Sequence, residues 1–304
     1  MSRKILIVTI ATATILIGGI IIVVNKPPVE ITQSSWQSGG AAIRGTFADA
    51  DAVNLGDGRY RMYYGAEPEI AGFEGQVYSA VSSDGMNWTQ ENGTRMTWAI
   101  FPSVIKLTDG RYRMYFQNDN AIKSAISSDG LLWTREPGIR VDRANNAGLS
   151  LTNVGAPTVM KIGNEYVMVY WGAINEKYPA KVPNNDTHLL LWAVSKDGLN
   201  FEKKGIALDS RNSVFNGLLD GAEFVAWDDG SIRLYFWSYR GIYHTVFTNG
   251  VFSEDAVFDY TNASDPNNLF PLSPPSDPTL MKINNEWFMY YGQHGKGVYY
   301  AILK

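Results

Sequence analysis

The sequence predicts an all-β fold: a five-bladed β-propeller closed by N- and C-terminal strands that share one blade, preceded by one N-terminal transmembrane helix. Three observations carry this expectation. DGRYRMYY (Asp57 to Tyr64) and VYSAVSSDGMNWTQENGTRM (Val77 to Met96) return as DGRYRMYF (Asp109 to Phe116) and IKSAISSDGLLWTREPGIRV (Ile122 to Val141). Weaker copies follow as KIGNEYVMVYW (Lys161 to Trp171), WDDGSIRLYFW (Trp227 to Trp237) and KINNEWFMYYG (Lys282 to Gly292). Finally, Ile5 to Val24 is a run of 20 residues without a charge. A repeat of this period means units that cannot bury their apolar faces alone and share a core by stacking.

The uncharged run comes first in the chain. Arg3 and Lys4 precede it, and Asn25, Lys26, Pro27 and Pro28 follow. Its length suits one membrane crossing, and the basic residues before it favour a cytoplasmic N-terminus. The alternative is a cleaved signal peptide, but the run is long for that and no small-x-small site follows. The expectation is residues 1–30 as anchor and linker and residues 31–304 as propeller, a single-pass protein of the cell membrane with the propeller outside the cytoplasm. With no cysteine in the chain, lipoprotein attachment and disulfides are excluded.

Each unit reads as four short strands: an apolar run, a Gly or Asn turn, an alternating aromatic strand, a loop, a third strand, a second tight turn and a fourth strand. The turn residues Gly58, Gly110, Asn164, Gly230 and Asn285 anchor five such units. Four-stranded units of this size are propeller blades. The fifth unit stops after its third strand, at Lys304, whereas WQSGGAAIR (Trp36 to Arg44) has the aromatic-to-arginine layout of WTQENGTR and WTREPGIR. Residues ~36–46 are therefore predicted to complete the blade of residues ~277–304, which removes exposed sheet edges.

Composition narrows the function. Net charge is −4 and Lys and Arg are scattered, so a nucleic-acid partner is not expected. The three histidines, His188, His244 and His294, have no metal-ligand spacing, and no phosphate loop or nucleophile elbow occurs. Nine Trp, 17 Tyr and 13 Phe suit blade cores and stacking on sugar rings. No cofactor is indicated; calcium in the central channel is left open. The chain is expected to act as a monomer on an oligo- or polysaccharide.

Propeller geometry puts the starts of the inner strands and the loops between second and third strands on one face near the axis. The SSDG turns, with Asp84, Asp129 and Asp197, lie on the other face and read as structural: aspartate caps the turn and glycine supplies positive φ. At the inner-strand starts, Asp49-Ala50, Phe101-Pro102, Ala156-Pro157, Gly221-Ala222 and Asp277-Pro278 fall at one level. Asp49, Asp220, Glu223 and Asp277 are thus the candidate catalytic carboxylates, with Asp51 a weaker one. Converging carboxylates raise one another's pKa, which glycoside hydrolysis exploits. The neighbouring loops offer Gln117, Asn118, Trp171, Trp237, Arg240 and His294 as sugar contacts, with Glu67, Glu69, Glu74 and Glu176 nearby.

Residues ~36–304 resemble the five-bladed propeller glycosidases of glycoside hydrolase families 43 and 32 and relatives such as family 130. The resemblance rests on the blade count, on SSDGMNW, SSDGLLW and SKDGLNF, and on the strand openings ADADAV, GAPTV and SDPTL. It implies an Asp base or nucleophile at the first inner strand, which Asp49 matches although Ala50 replaces the proline. It also implies a Glu acid in a Glu-Gly-Pro-like opening; LDGAEF places Asp220 there, with Glu223 just inside the strand. The resemblance therefore implies a glycan-cleaving acid/base enzyme. Two alternatives stay open: an inactive propeller that binds carbohydrate or protein, and a sialidase-like exo-glycosidase.

Overall fold

The computed structural model describes residues 35–66, 75–144, 146, 148–176, 186–211 and 214–304, together with the backbone of 12–17 and 20–25. The chain divides into two units, 1–34 and 35–304.

In the first unit Thr12–Ile17 and Ile20–Asn25 pair as antiparallel strands. The structure thus gives strands where the described parts of Ile5–Val24 were expected to be helical, and none of its described helices is long and apolar enough to cross a membrane. β-branched Ile, Val and Thr dominate this run, and such side chains favour strands unless lipid forces the backbone to bond within itself.

The second unit consists of five antiparallel sheets. Their inner strands are Phe47–Asn54, Ile100–Lys106, Leu151–Ile162, Asp220–Ala226 and Ser276–Ile283, in blades 1 to 5. Each contacts the next, and the fifth contacts the first, so they close a ring. Each is followed outward by an aromatic second strand, such as Tyr112–Asn118, and a third, such as Ala121–Ser127. In blade 5 the outer strand is Trp36–Arg44, which pairs with Gly297–Leu303 in a register that sets Arg44 against Gly297 and Trp36 against Leu303. The closure read from the two ends of the repeat is therefore the one observed.

One departure concerns the outermost strands. Blade 3 has a continuous one, Glu202–Leu208, whereas in blades 1, 2 and 4 the edge is broken into two short pieces, such as Thr89–Gln90 and Met96–Thr97. Gly93, with φ 84°, sits between those two pieces and turns the chain away from the ladder.

The core is divided among the seams. Each of five hydrophobic clusters joins two neighbouring blades, as where Tyr63, Val77 and Met96 of blade 1 meet Val104, Met114 and Phe116 of blade 2. The repeated letters build these seams. Tyr63 donates its hydroxyl to the carbonyl of Gly130 in the next blade's SSDG turn at 2.9 Å, Tyr115 to Gly198 at 2.8 Å, and Tyr290 to Gly85 at 2.9 Å. Arg61 pairs with Glu91 of its own blade at 2.8 Å and donates across the seam to the Asp129 carbonyl, and Arg113 repeats this with Glu136 and Asp197. Trp133, Phe201 and Trp88 then stand edge-on to Tyr63, Tyr115 and Tyr290.

The turn aspartates are accounted for by the same latch. Asp84 Oδ1 accepts from the N–H groups of Met86 and Asn87, which lowers its pKa to about 2. Asp129 and Asp197 are held low by equivalent bonds. These are turn caps on the face away from the inner-strand starts.

Candidate active site

Five residues near the axis share an unusual backbone conformation. Asp49, Phe101, Ala156, Gly221 and Asp277, one per inner strand, have φ between 41° and 53°. Left-handed backbone costs a non-glycine residue about 1–2 kcal/mol, and here it recurs in every blade. At each, the pairing with the second strand slips, as between Ala48 and Asp51 or between Ser276 and Thr279. These slips are bulges that re-aim the chain where each inner strand begins, and they turn the five residues toward one cavity on the axis.

That cavity holds about 30 Å³, room for ordered water but not for a sugar ring. A sugar would sit above it, at the mouth. Asp49, Asp51, Glu223 and Asp277 line it together with Ser103, and no lysine or arginine does. Phe101, Pro102, Ala156 and Pro157 supply an apolar wall from blades 2 and 3. The lining therefore has an acidic arc from blades 4, 5 and 1 opposite that wall.

Two residues further along each inner strand lies a second, deeper ring of oxygen-bearing side chains: Asp51, Ser103, Thr158, Glu223 and Thr279. These bind strand to strand. Asp51 Oδ2 accepts from Val104 N–H at 2.7 Å, Thr158 Oγ1 from Phe224 N–H at 3.2 Å and Thr279 Oγ1 from Ala52 N–H at 3.3 Å. Thr158 in turn donates its hydroxyl to Glu223 Oε2 at 3.1 Å. Desolvation pushes Asp51 up to about 7, against the pull of the Val104 N–H. Burial, then the Asp51 charge, pushes Glu223 well above the usual carboxylate range. The two behave as a pair that retains protons.

Asp277 apart, the remaining candidates are not among the residues that line the cavity. Asp277 accepts from Trp237 Nε1 at 3.2 Å, so the second strand of blade 4 steadies the first carboxylate of blade 5. Gly221 makes this possible: a Cβ there would lie 2.1 Å from Asp277 Oδ1. Asp220 Oδ1 accepts from the N–H of Gly221 at 2.7 Å, and its Oδ2 lies 2.9 Å from His188 Nδ1. The His188 ring stacks on Trp171 at 4.6 Å with planes 7° apart. Gln117 is buried over Gly155 beside Trp171, and neither Gln117 Oε1 nor Trp171 Nε1 has a protein partner. His294 is exposed, with its ring 6.3 Å from that of Trp237.

Two of the expected sugar contacts are held elsewhere. Asn118 is tied to Lys123 across its own hairpin. Arg240 lies over Phe258 at 4.0 Å and donates to the Pro266 carbonyl, held by a loop of its own blade. Both sit in tight second-to-third-strand turns. Glu67, Glu69 and Glu74 lie outside the described residues; Glu176 pairs with Arg211 at 3.3 Å.

His188 was not among the expected site residues, and the carboxylate it contacts lies 32 positions away. Its main chain is bridged to the segment just before blade 4: His188 N–H donates to the Gly217 carbonyl, and Leu219 N–H to the His188 carbonyl. No local motif announces such a contact. Among the described residues no group of three His, Asp or Glu side chains is placed to hold a metal ion.

No family model and no curated protein matches the sequence. Solved structures do match the fold. A candidate glycoside hydrolase from Parabacteroides distasonis superposes with a TM-score of 0.63 at 14% identity, over 90% of this chain and 97% of that one. A GH43_1 enzyme from Xanthomonas citri gives 0.61 at 13%, over 88% and 90%. The GH32 β-fructofuranosidase of Bombyx mori gives 0.62 at 10%, over 88% of this chain and 62% of its own. The chain thus has the five-bladed propeller architecture of these glycoside hydrolase structures, at identities where the fold is what is shared.

Proposed function

We propose that this protein is a glycoside hydrolase that cleaves a glycan by carboxylate acid/base catalysis at the mouth of the propeller. The observation that carries the reading is the convergence of Asp49 and Asp277, both on left-handed strand starts, on one acidic cavity opposite an apolar wall. A pyranose has apolar faces and hydroxyl edges, and this mouth offers a surface for each.

In this reading Asp49 is the base or nucleophile. Asp277, oriented by Trp237, steadies the charge that develops at the sugar. Asp220 is the proton donor, because it sits one residue before Gly221 at the level of the mouth. Glu223, bonded to Thr158 inside the channel, tunes the site from below with Asp51. Gln117 and Trp171 would meet the sugar from blades 2 and 3, and His294 from blade 5. The uncharged run at Ile5 to Val24 would tether the protein to the membrane with the propeller outside the cytoplasm.

The acidic, arginine-free lining argues against a sialidase-like activity, since a sialic carboxylate at the mouth would face Asp49 and Asp277 and no cation of the cavity lining. A non-catalytic sugar-binding propeller has one observation in its favour: both Asp220 oxygens already have partners in the protein. The full-length chain assayed on a panel of neutral aryl glycosides separates the two. Release of the aryl group that falls at least a hundredfold in Asp49→Asn supports hydrolysis. Binding on a glycan array without release by either protein supports the binder.

A further inference from the structure

We infer that His188 is the positioning and proton-relay partner of Asp220, an inference that rests on the hydrolase reading above. Three features fix the imidazole before any substrate arrives: the parallel stack on Trp171, the main-chain bonds to Gly217 and Leu219, and the 2.9 Å contact of Nδ1 with Asp220 Oδ2. The side chain keeps 23% of its surface accessible, against 12% for Asp220. His188 is therefore the more open end of the pair, and it connects a largely enclosed carboxyl to water.

The chemistry follows from the geometry. Asp220 gives its proton to the departing glycosidic oxygen as the C–O bond breaks, and is left as a carboxylate. The Nδ1 proton of His188 passes to Oδ2 while Nε2 takes one from water, so Asp220 regains its proton and the ring is left as the Nε2–H tautomer; exchange with solvent restores Nδ1–H before the next turnover, and the proton drawn from solvent is matched by the one that the attacking water gives up through Asp49. The imidazole also fixes the direction of Oδ2, because Oδ1 is held by Gly221 N–H. Among the described residues, Asp220 is the ionisable group that the structure shows hydrogen-bonded to the ring. Glu176, Asp209 and Arg211, brought near by the adjoining segments, satisfy one another as a separate ion-pair cluster.

Two measurements on the full-length chain test this. Nitrogen-15 NMR of the histidine rings in wild type and Asp220→Asn should show the His188 Nδ1 resonance moving when its hydrogen-bond partner is changed; an unchanged resonance overturns the pairing, whether or not any glycoside is hydrolysed. In kinetics, His188→Gln should lower kcat by roughly ten- to a hundredfold on phenyl or alkyl glycosides but far less on 2,4-dinitrophenyl glycosides, whose leaving group needs no proton. Equal losses on both substrate types would mean that His188 only holds the fold. A protein that shows the NMR coupling but hydrolyses neither substrate type would fail the hydrolase reading and would overturn the relay role while leaving the pair intact.

Discussion

Trp237 donates its indole N–H to Asp277 Oδ1 at 3.2 Å, across the seam between blades 4 and 5. This bond makes an aromatic residue of one blade responsible for the direction of another blade's carboxylate. Trp237→Phe keeps the ring and loses the donor. Activity on an aryl glycoside is expected to fall about tenfold, the equivalent of one hydrogen bond to a charged group of about 1.5 kcal/mol, with the loss in kcat rather than in folding stability. Steady-state kinetics and a thermal melt would separate the two.

Gly221 packs against that carboxylate. Its φ of 47° and the 2.1 Å that a Cβ would leave to Asp277 Oδ1 exclude any side chain without displacement. Gly221→Ala is expected to abolish activity and to cost at least about 1–2 kcal/mol of stability from backbone strain alone. Chemical denaturation would measure the second effect.

The latch tyrosines offer a graded test of the seams. Tyr63→Phe and Tyr115→Phe each leave a buried carbonyl of the next SSDG turn without its donor, and each should cost about 1–3 kcal/mol. The two bonds lie at successive seams, blade 1 to 2 and blade 2 to 3. Their effects are expected to add, as for independent sites; a double variant unfolded in urea would show it.

The paired carboxyls of the channel give the propeller a pH dependence of definite sign. Folding raises Asp51 to about 7, above its unfolded value, and raises Glu223 as well. The folded state therefore holds protons that the unfolded chain releases. The stabilising contribution of this pair is fully present below about pH 4 and declines as pH rises toward 7, by an amount on the order of 2–4 kcal/mol. Asp51→Asn preserves an oxygen for the Val104 N–H and removes the ionisation. It should flatten the fall in melting temperature between pH 5 and 8, and a melt series across that range would reveal a failure to do so.

Where the sequence was legible, repetition made it so. Arg61, Tyr63, Asp84 and Trp88 recur as Arg113, Tyr115, Asp129 and Trp133 because the Arg and Tyr bond to the next blade's turn, the Asp caps such a turn and the Trp packs against a neighbouring blade's Tyr. The inner-strand level of Asp49 and Asp277 could be read because every blade begins the same way. Less legible were features that differ between blades or depend on distance. The His188 to Asp220 contact joins blade 3 to blade 4 through main-chain bonds that leave no pattern. Arg240 and Asn118 were expected in the site on loop position alone, and their short turns commit them to Pro266 and Lys123 instead. The apolar run before the propeller satisfies a helix of lipid-spanning length and a β-branched hairpin equally well, since the difference lies in the solvent.

The strand clasp of blade 5 has a mechanical consequence. Trp36 stands opposite Leu303, and Lys304 N–H bonds to the Ser35 carbonyl, so residues 35 and 304 lie at the same end of one antiparallel ladder. Tension applied between residues 35 and 304 would load those bonds singly, like a zip fastener, instead of shearing them together. In an optical trap the ring should therefore open at low force from this joint first, with the other four sheets yielding afterwards.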